Sequence, residues 1–169
     1  MAAEPITVVP ESAGTDSQVA ELGGAPAGGI GTAVVQTKPY VTIVLPCYNE
    51  QDHVLAEIER ITVAMDASGY SYELVAIDDK STDGTLARLR EAAASYPKLR
   101  VVAFRRNGGS GTARRIGTND ARGEIVVWTD ADMTYPNERI PDLVGYLDDN
   151  PRTDQAVGAR TSDQGTHKF

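Results

Sequence analysis

The chain has 169 residues, 41% of them hydrophobic, so it can form one domain of ordinary size but is too short for two full domains. Its 24 acidic residues outnumber its 16 basic ones, giving a net charge of -8 without a basic patch, which argues against nucleic acid as a partner. An acidic protein that binds an anionic nucleotide needs a cation to offset the repulsion.

The N-terminal residues 1–38 are rich in Ala, Gly, Thr, Ser and Pro and show no sustained hydrophobic period, which predicts a flexible tail. The folded domain is predicted to be 39–169. No apolar stretch approaches the ~20 residues of a membrane-spanning helix. Glu4 and Glu11 stand where a secretory signal would be basic, and Cys47 is the single cysteine, so no internal disulfide can form. We therefore expect a cytoplasmic protein without a transmembrane segment.

Apolar runs alternate with amphipathic segments along the rest of the chain. The first run, 41–45, is rich in β-branched residues and is stopped by Pro46, and 51–68 follows it with helical spacing. Further strands are predicted at 72–77, 99–104, 125–129 and 155–159, and further helices at 85–95, 113–117 and 137–149. This alternation predicts right-handed crossovers and a largely parallel sheet with helices on both faces.

Polar clusters follow the first four predicted strands, at 48–50, 78–79, 105–111 and 130–132. In a parallel sheet of this kind, ligands bind beyond the carboxyl ends of the strands. We therefore expect the four loops to meet at one rim of the sheet.

Two carboxylates, Asp130 and Asp132, flank Ala131 directly after the fourth predicted strand. Both can reach one hard cation that prefers oxygen ligands, Mg²⁺ or Mn²⁺, and leave positions for phosphate and water. Such a cation stabilises the negative charge of a leaving diphosphate as a glycosidic bond breaks. The alternative is a solvated acidic turn, and the position directly after a core strand favours the metal site.

Another acidic pair, Asp78 and Asp79, ends the second predicted strand. A carboxylate in this place can accept hydrogen bonds from a nucleobase N–H or a ribose hydroxyl, and we assign this contact to Asp79 with Asp78 in support. Thr82 or Asp83 can cap the following helix. Capping does not account for two consecutive carboxylates at the strand end.

The loop after the first strand contains Tyr48, Asn49 and Glu50. Tyr48 can pack beside a nucleobase, and Glu50 can bond the ribose or the edge of the base. The pattern is equally consistent with Asn49 merely starting the helix and Tyr48 being exposed without a role. Both interpretations remain open for this loop.

A glycine-rich loop at 107–111 precedes the third predicted helix, so its backbone can approach an anion and present the helix N-terminus to it. The nearest basic residues can contact a diphosphate or lie on the surface; they are Arg105, Arg106, Arg114 and Arg115. The loop lacks the third glycine of a dinucleotide fingerprint and follows the third strand, which argues against a nicotinamide enzyme.

Taken in order, these motifs resemble family 2 of the inverting glycosyltransferases, which has the GT-A fold, over residues 41–160. The resemblance rests on the segments 42–50, 78–85, 107–117, 128–132 and 157–160. Lys80 stands where the family usually has glycine. Within the family, the chain is most similar to polyprenyl-phosphate sugar transferases of the dolichol-phosphate mannose synthase type.

This resemblance implies a GT-A fold, in which a Rossmann-like, mostly parallel sheet carries helices on both faces, and a metal-dependent hexosyltransferase. The donor would be a nucleotide-diphosphate sugar and the acceptor a polyprenyl phosphate or another membrane-associated molecule at the cytoplasmic face. Asp130 and Asp132 would bind Mg²⁺ or Mn²⁺. The nucleotide-binding residues would be Pro46, Tyr48, Glu50, Asp78, Asp79, Gly108, Gly111, Ala131 and Arg160.

Related proteins continue beyond Phe169 into an acceptor-binding segment, so we expect the chain to be truncated after the donor-binding half. A general base for a hydroxyl acceptor would lie beyond Phe169, and no catalytic residue is assigned. A lipid phosphate could attack without such a base. The alternatives are a nucleotide-binding module without catalysis and a flavodoxin-like receiver domain, whose acidic pair should, however, follow its first strand.

Overall fold

The structure is a computed structural model, and it describes residues 7–9 and 38–159. The strands are β1 (Thr7–Val9), β2 (Val41–Cys47), β3 (Tyr72–Asp78), β4 (Leu99–Phe104) and β5 (Ile125–Trp128). The helices are α1 (Val54–Ser68), α2 (Thr85–Ser95), α3 (Ser110–Asn119) and α4 (Ile140–Asp149), and a 3-10 turn, Asn137–Arg139, leads into α4. None of the helices in these described stretches is long and apolar enough to cross a membrane.

Every strand pairs in parallel with its neighbours, in the order β1-β4-β3-β2-β5. The chain proceeds outward from β2 through β3 to β4 and then returns to the other side of β2 to form β5. This reversal creates a topological switch point between β2 and β5, the place where open α/β sheets bind ligands. The predicted parallel sheet is confirmed.

Helices cover both faces of the sheet, as the alternation of elements predicted. On one face, α1, α2 and α4 pack on the side chains that alternate inward along the strands, including Ile43, Leu74 and Val101. On the other face, α3 packs through Ala113 on a smaller cluster that contains Val44. The sheet therefore has two buried faces and an accessible carboxyl rim.

A short strand lies inside the segment that the composition predicted to be a flexible tail. Thr7–Val9 pairs with β4 from Val102 to Phe104 and forms the edge of the sheet. Its three residues are all β-branched and are followed by Pro10, a pattern typical of a strand. The rest of the predicted tail lies outside the described residues.

One predicted strand does not form, and one predicted helix starts later than expected. Residues 155–159 form no regular secondary structure, and Val157 is 77% exposed, because no strand among the described residues pairs with them. Helix α1 starts at Val54 and not at Gln51. The Gln51 side chain instead accepts a hydrogen bond from the Gly84 amide, which places 51–53 in a turn.

Gly117→Ala is expected to destabilise the fold by about 1–3 kcal/mol, because the added methyl group overpacks the core. A Cβ at this position would lie 2.4 Å from Val44 Cγ1 and 2.9 Å from Ile77 Cδ1. The matched control is Gly145→Ala in α4, where the nearest atom, Tyr70 Oη, is 3.7 Å away. That control should raise the free energy of unfolding by about 0.5–1 kcal/mol, since alanine has a higher helix propensity than glycine. Urea unfolding measures both changes. Equal effects of the two substitutions would contradict the close packing of α3.

Candidate functional site

The loops that follow β2 and β3 are joined by hydrogen bonds in both directions. The Asn49 amide donates to Ser81 Oγ at 3.1 Å, and the Thr82 amide donates to Asn49 Oδ1 at 2.8 Å. The Glu50 amide donates to Thr85 Oγ1 at 2.8 Å. The two loops therefore behave as one unit at the rim of the sheet.

Asp83 strengthens this unit at the start of α2. It accepts hydrogen bonds from the amide and the hydroxyl of Thr85 at 2.9 and 2.6 Å, and from the Gln51 amide at 3.2 Å. Although burial raises the pKa of Asp83, these hydrogen bonds hold it below its usual range. Asp83, and not Thr82, is thus the residue that supports the beginning of the helix.

Lys80 adopts a left-handed backbone conformation, with a φ of 62°. Glycine adopts this conformation without steric penalty, whereas a residue with a Cβ does so at a small cost. The structure therefore keeps the turn that glycine would favour at this position, although lysine occupies it. Asn49, in the partner loop, has a similar φ of 58°.

Asp79 holds the glycine-rich loop against the end of β3. Its two carboxylate oxygens accept hydrogen bonds from the Gly108 and Gly109 amides at 2.6 and 2.7 Å, and its carbonyl accepts one from Asn107 Nδ2 at 3.0 Å. Asp79 is only 3% exposed. Its hydrogen bonds favour a structural role over the nucleoside contact that we assigned to it.

Asp78 retains hydrogen-bonding capacity that Asp79 has lost. Its Oδ2 accepts a hydrogen bond from the Ser81 amide at 3.3 Å, whereas its buried Oδ1 has no hydrogen-bond partner among the described residues. A buried carboxylate oxygen without a partner is unfavourable, so this atom is suited to accept a bond from a ligand. These contacts favour Asp78 over Asp79 for the predicted nucleoside contact, which stays a prediction for both residues.

The glycine-rich loop does not form the anion cradle that its composition suggested. The amides of Gly108 and Gly109 point to Asp79, which removes them from the set of donors. Gly109 has a φ of 80°, a backbone conformation that is unfavourable for residues other than glycine. The first turn of α3, which contains Gly111, is the part of this segment that can still face an anion.

The acidic loop after β5 lies at the switch point. The Thr129 amide donates to the Val44 carbonyl at 3.3 Å and keeps the chain alongside β2 beyond the end of β5. Ala131, which lies between the two carboxylates in the sequence, is 2% exposed and anchors the loop in the core. Such anchoring distinguishes the triplet from a solvated acidic turn.

The two carboxylates of this loop have different surroundings. Asp130 Oδ1 accepts a 2.5 Å bond from Arg114 Nη2, and the side chains of both residues are 29% exposed. Asp132 is exposed, and its Oδ1 accepts hydrogen bonds from the amide and the hydroxyl of Thr134 at 3.0 and 2.6 Å. Asp130 is thus tied to α3, whereas these bonds of Asp132 stay within the loop.

A buried network that the sequence analysis missed fastens the acidic loop to α1. Asn137 accepts a hydrogen bond from the Thr129 hydroxyl and donates to Glu57 Oε1 at 2.5 Å and to the Asp130 carbonyl at 3.3 Å. Glu57 is fully buried and also pairs with Arg60 at 2.7 Å. A charged residue within the apolar stripe of α1 was the signal that could have revealed it.

Asp130 and Asp132 fit a hard divalent cation through the chemistry of their donor atoms. In the part of the chain that the structure describes, no group of three or more His, Cys, Asp or Glu side chains could hold a metal ion. Mg²⁺ in nucleotide sites is commonly bound by one or two carboxylates, with phosphate and water as the other ligands. The two carboxylates of this loop match that pattern, and they do not match the four protein ligands of a structural zinc site.

The other predicted residues of the first loop line the same rim. Pro46 is buried near the end of β2, and Tyr48 is 49% exposed. Glu50 is half-buried, and its Oε2 lies at hydrogen-bond distance, 3.1 Å, from His53 Nδ1. Burial, with a smaller contribution from Asp78, raises the pKa of the Cys47 thiol, which suits a packing role. Arg160 lies outside the described residues.

The chain matches the family described as Glycosyl transferase family 2 over residues 42–168. It is 42% identical over 115 residues to an undecaprenyl-phosphate 4-deoxy-4-formamido-L-arabinose transferase of Edwardsiella ictaluri, covering 67% of this chain and 35% of that protein. The protein of that name from Shewanella sediminis is 35% identical over 136 residues, covering 79% and 41%. The chain thus spans about a third to two fifths of the length of these relatives.

Solved structures with the same fold include nucleotide complexes. A mannosyltransferase from Pyrobaculum calidifontis in complex with GDP-Man and Mn²⁺ is 31% identical, with a TM-score of 0.57, over 68% of this chain and 34% of that one. Glucosyl-3-phosphoglycerate synthase from Mycobacterium tuberculosis, with Mn²⁺, UDP and phosphoglyceric acid, is 30% identical, with a TM-score of 0.52, over 64% and 39%. The predicted GT-A fold is confirmed, and the receiver-domain alternative is excluded.

Proposed function

Because the chain belongs to glycosyl transferase family 2, we propose that it is the donor-binding part of a metal-dependent glycosyltransferase. The observation that carries the proposal is the position of Asp130 and Asp132. They follow β5 at the switch point, beside the joined loops after β2 and β3. The reaction would transfer a hexose from a nucleotide-diphosphate sugar to a polyprenyl phosphate or another membrane-associated acceptor.

The nucleoside of the donor would lie over the joined loops. The buried Oδ1 of Asp78 accepts a hydrogen bond from a base N–H or a ribose hydroxyl, which would satisfy an oxygen that has no partner among the described residues. Tyr48 is exposed enough to pack beside the base, and Glu50 stands next to it. Asp79 would contribute indirectly, by fixing the loop that leads into α3.

The diphosphate would lie between the acidic loop and the first turn of α3. Asp130 and Asp132 would hold Mg²⁺ or Mn²⁺, which when bound supplies positive charge where the leaving diphosphate becomes more negative. Ala131 would keep the two carboxylates in place, and the Glu57–Asn137 network would keep the loop on α1. The Mn²⁺ complexes of the two solved relatives support this assignment.

The acceptor that fits best is a lipid phosphate. The names of the curated relatives specify undecaprenyl phosphate. A phosphate oxygen is already anionic and can attack the sugar without a general base. The protein would then act at the cytoplasmic face of a membrane.

Thermal unfolding with UDP or GDP, with and without Mn²⁺, tests the proposal. A nucleotide present at 100 times its Kd should stabilise the folded state by about 2.7 kcal/mol, which raises the Tm by several degrees. We expect this increase only when Mn²⁺ and one of the two nucleotides are both present. Equal stabilisation in EDTA would exclude the metal role, and no effect of either nucleotide would exclude the donor site.

A further inference from the structure

We propose that, without a metal, the Arg114 guanidinium pairs with the Asp130 carboxylate, and that it moves to the donor diphosphate when a divalent cation binds this carboxylate. This inference rests on the proposed function, and it adds a residue that couples metal binding to nucleotide binding. Arg114 would therefore be a competitor of the metal and a ligand of the nucleotide. Replacing Arg114 should therefore strengthen metal binding and weaken nucleotide binding.

The first support is the contact itself. Arg114 belongs to α3, which packs on one face of the sheet, and Asp130 belongs to the loop after β5. Their 2.5 Å bond joins these two elements at the rim. A cation that binds Oδ1 competes with the guanidinium for this oxygen, and two positive charges so close together repel each other, so the cation favours release of the arginine.

The second support is an unused donor on Arg114. Its Nε is buried and has no hydrogen-bond partner among the described residues. Arginine carries five N–H donors in a planar fork, and a carboxylate partner is often bound by two of them at once. The hydrogen bond to Asp130 is donated by Nη2, so the guanidinium retains donors for a second anion.

The third support is the charge of the site. Two carboxylates stand close together in sequence within a protein of net charge -8, at a rim that must accept an anionic diphosphate. With the cation bound, Asp130 is neutralised by the metal, and the released guanidinium faces the diphosphate as an unpaired positive charge. Metal and nucleotide then bind with positive coupling, since each favours the arrangement that the other needs.

The test compares Arg114→Gln with Arg115→Gln. Arg115 is the exposed neighbour on α3, so its replacement removes the same charge without touching Asp130. Electron paramagnetic resonance of free Mn²⁺ measures metal binding without nucleotide, and calorimetry measures the binding of UDP or GDP at saturating Mn²⁺. We expect Arg114→Gln to bind Mn²⁺ alone roughly threefold more tightly than Arg115→Gln, yet to bind the nucleotide at least about fivefold more weakly.

Arg114→Lys separates the effect of the positive charge from that of the planar guanidinium group. Lysine keeps the competition for Asp130 but loses the planar set of donors, so Mn²⁺ binding should stay near wild type while nucleotide binding weakens. This variant also carries the test if Arg114→Gln does not fold. Weaker Mn²⁺ binding by Arg114→Gln, or effects no larger than those of Arg115→Gln, would overturn the proposal. If the wild-type protein shows no Mn²⁺-dependent nucleotide binding, the proposed function fails as well.

Discussion

Asp132→Ala is expected to lower the Mn²⁺-dependent affinity for UDP or GDP by about 100-fold, because it removes one of the two carboxylates that would hold the cation. Asp132 is the better choice for this test than Asp130. The bond between Asp130 and Arg114 joins the acidic loop to α3, so its loss would also disturb the packing of the rim. Two of the hydrogen bonds that Asp132 accepts come from Thr134, two residues away.

Calorimetric titration of the nucleotide in Mn²⁺ and in EDTA measures this effect. The matched control is Asp149→Ala, which removes the same charge from an exposed position at the end of α4. The control should bind nucleotide as the wild type does. A variant that still responds to Mn²⁺ as the wild type does would show that Asp132 is not a metal ligand.

Glu57→Ala is expected to destabilise the protein by about 3 kcal/mol, the largest effect on stability that we expect near the site. Glu57 is fully buried and accepts hydrogen bonds from Arg60 and Asn137, both of which would lose a partner. Asn137 in turn bonds the Asp130 carbonyl. We therefore also expect about tenfold weaker Mn²⁺-dependent nucleotide binding under conditions where the variant is folded.

Urea unfolding followed by circular dichroism measures the stability change. Glu59→Ala is the control, since Glu59 is exposed on the same helix and should change the stability by less than about 0.5 kcal/mol. Glu57→Gln keeps the shape of the side chain and one acceptor oxygen, so its effect should be intermediate. An unfolding midpoint of Glu57→Ala equal to that of Glu59→Ala would show that the network does not fasten the acidic loop.

Much of the fold could be predicted from local patterns. The strands β2 to β5 are predominantly apolar runs, which is how buried parallel strands differ from loops in a sequence. Their alternation with helices determines their parallel direction and therefore the rim at which the polar loops meet. The position of Asp130 and Asp132 at this rim follows from that alternation, without knowledge of any side-chain contact. The switch point between β2 and β5 depends on the order of the strands in the sheet, which the alternation does not determine.

The roles of individual side chains depend on contacts between distant segments, which no local pattern reveals. Asp79 is bound by amides 29 and 30 residues further along the chain, and this contact favours a structural role for it. Glu57 meets Asn137 across 80 residues. The segment 155–159 was predicted as a strand from composition, yet a strand also needs a neighbour to pair with.

The most direct test of the account is a crystal structure of the protein with Mn²⁺ and UDP or GDP, with the metal located by its anomalous scattering. We expect one Mn²⁺ bound directly to a carboxylate oxygen of Asp130 and of Asp132, in contact with the diphosphate. Arg114 should have left Asp130. A nucleotide bound at the rim with no metal on either carboxylate would contradict the central claim.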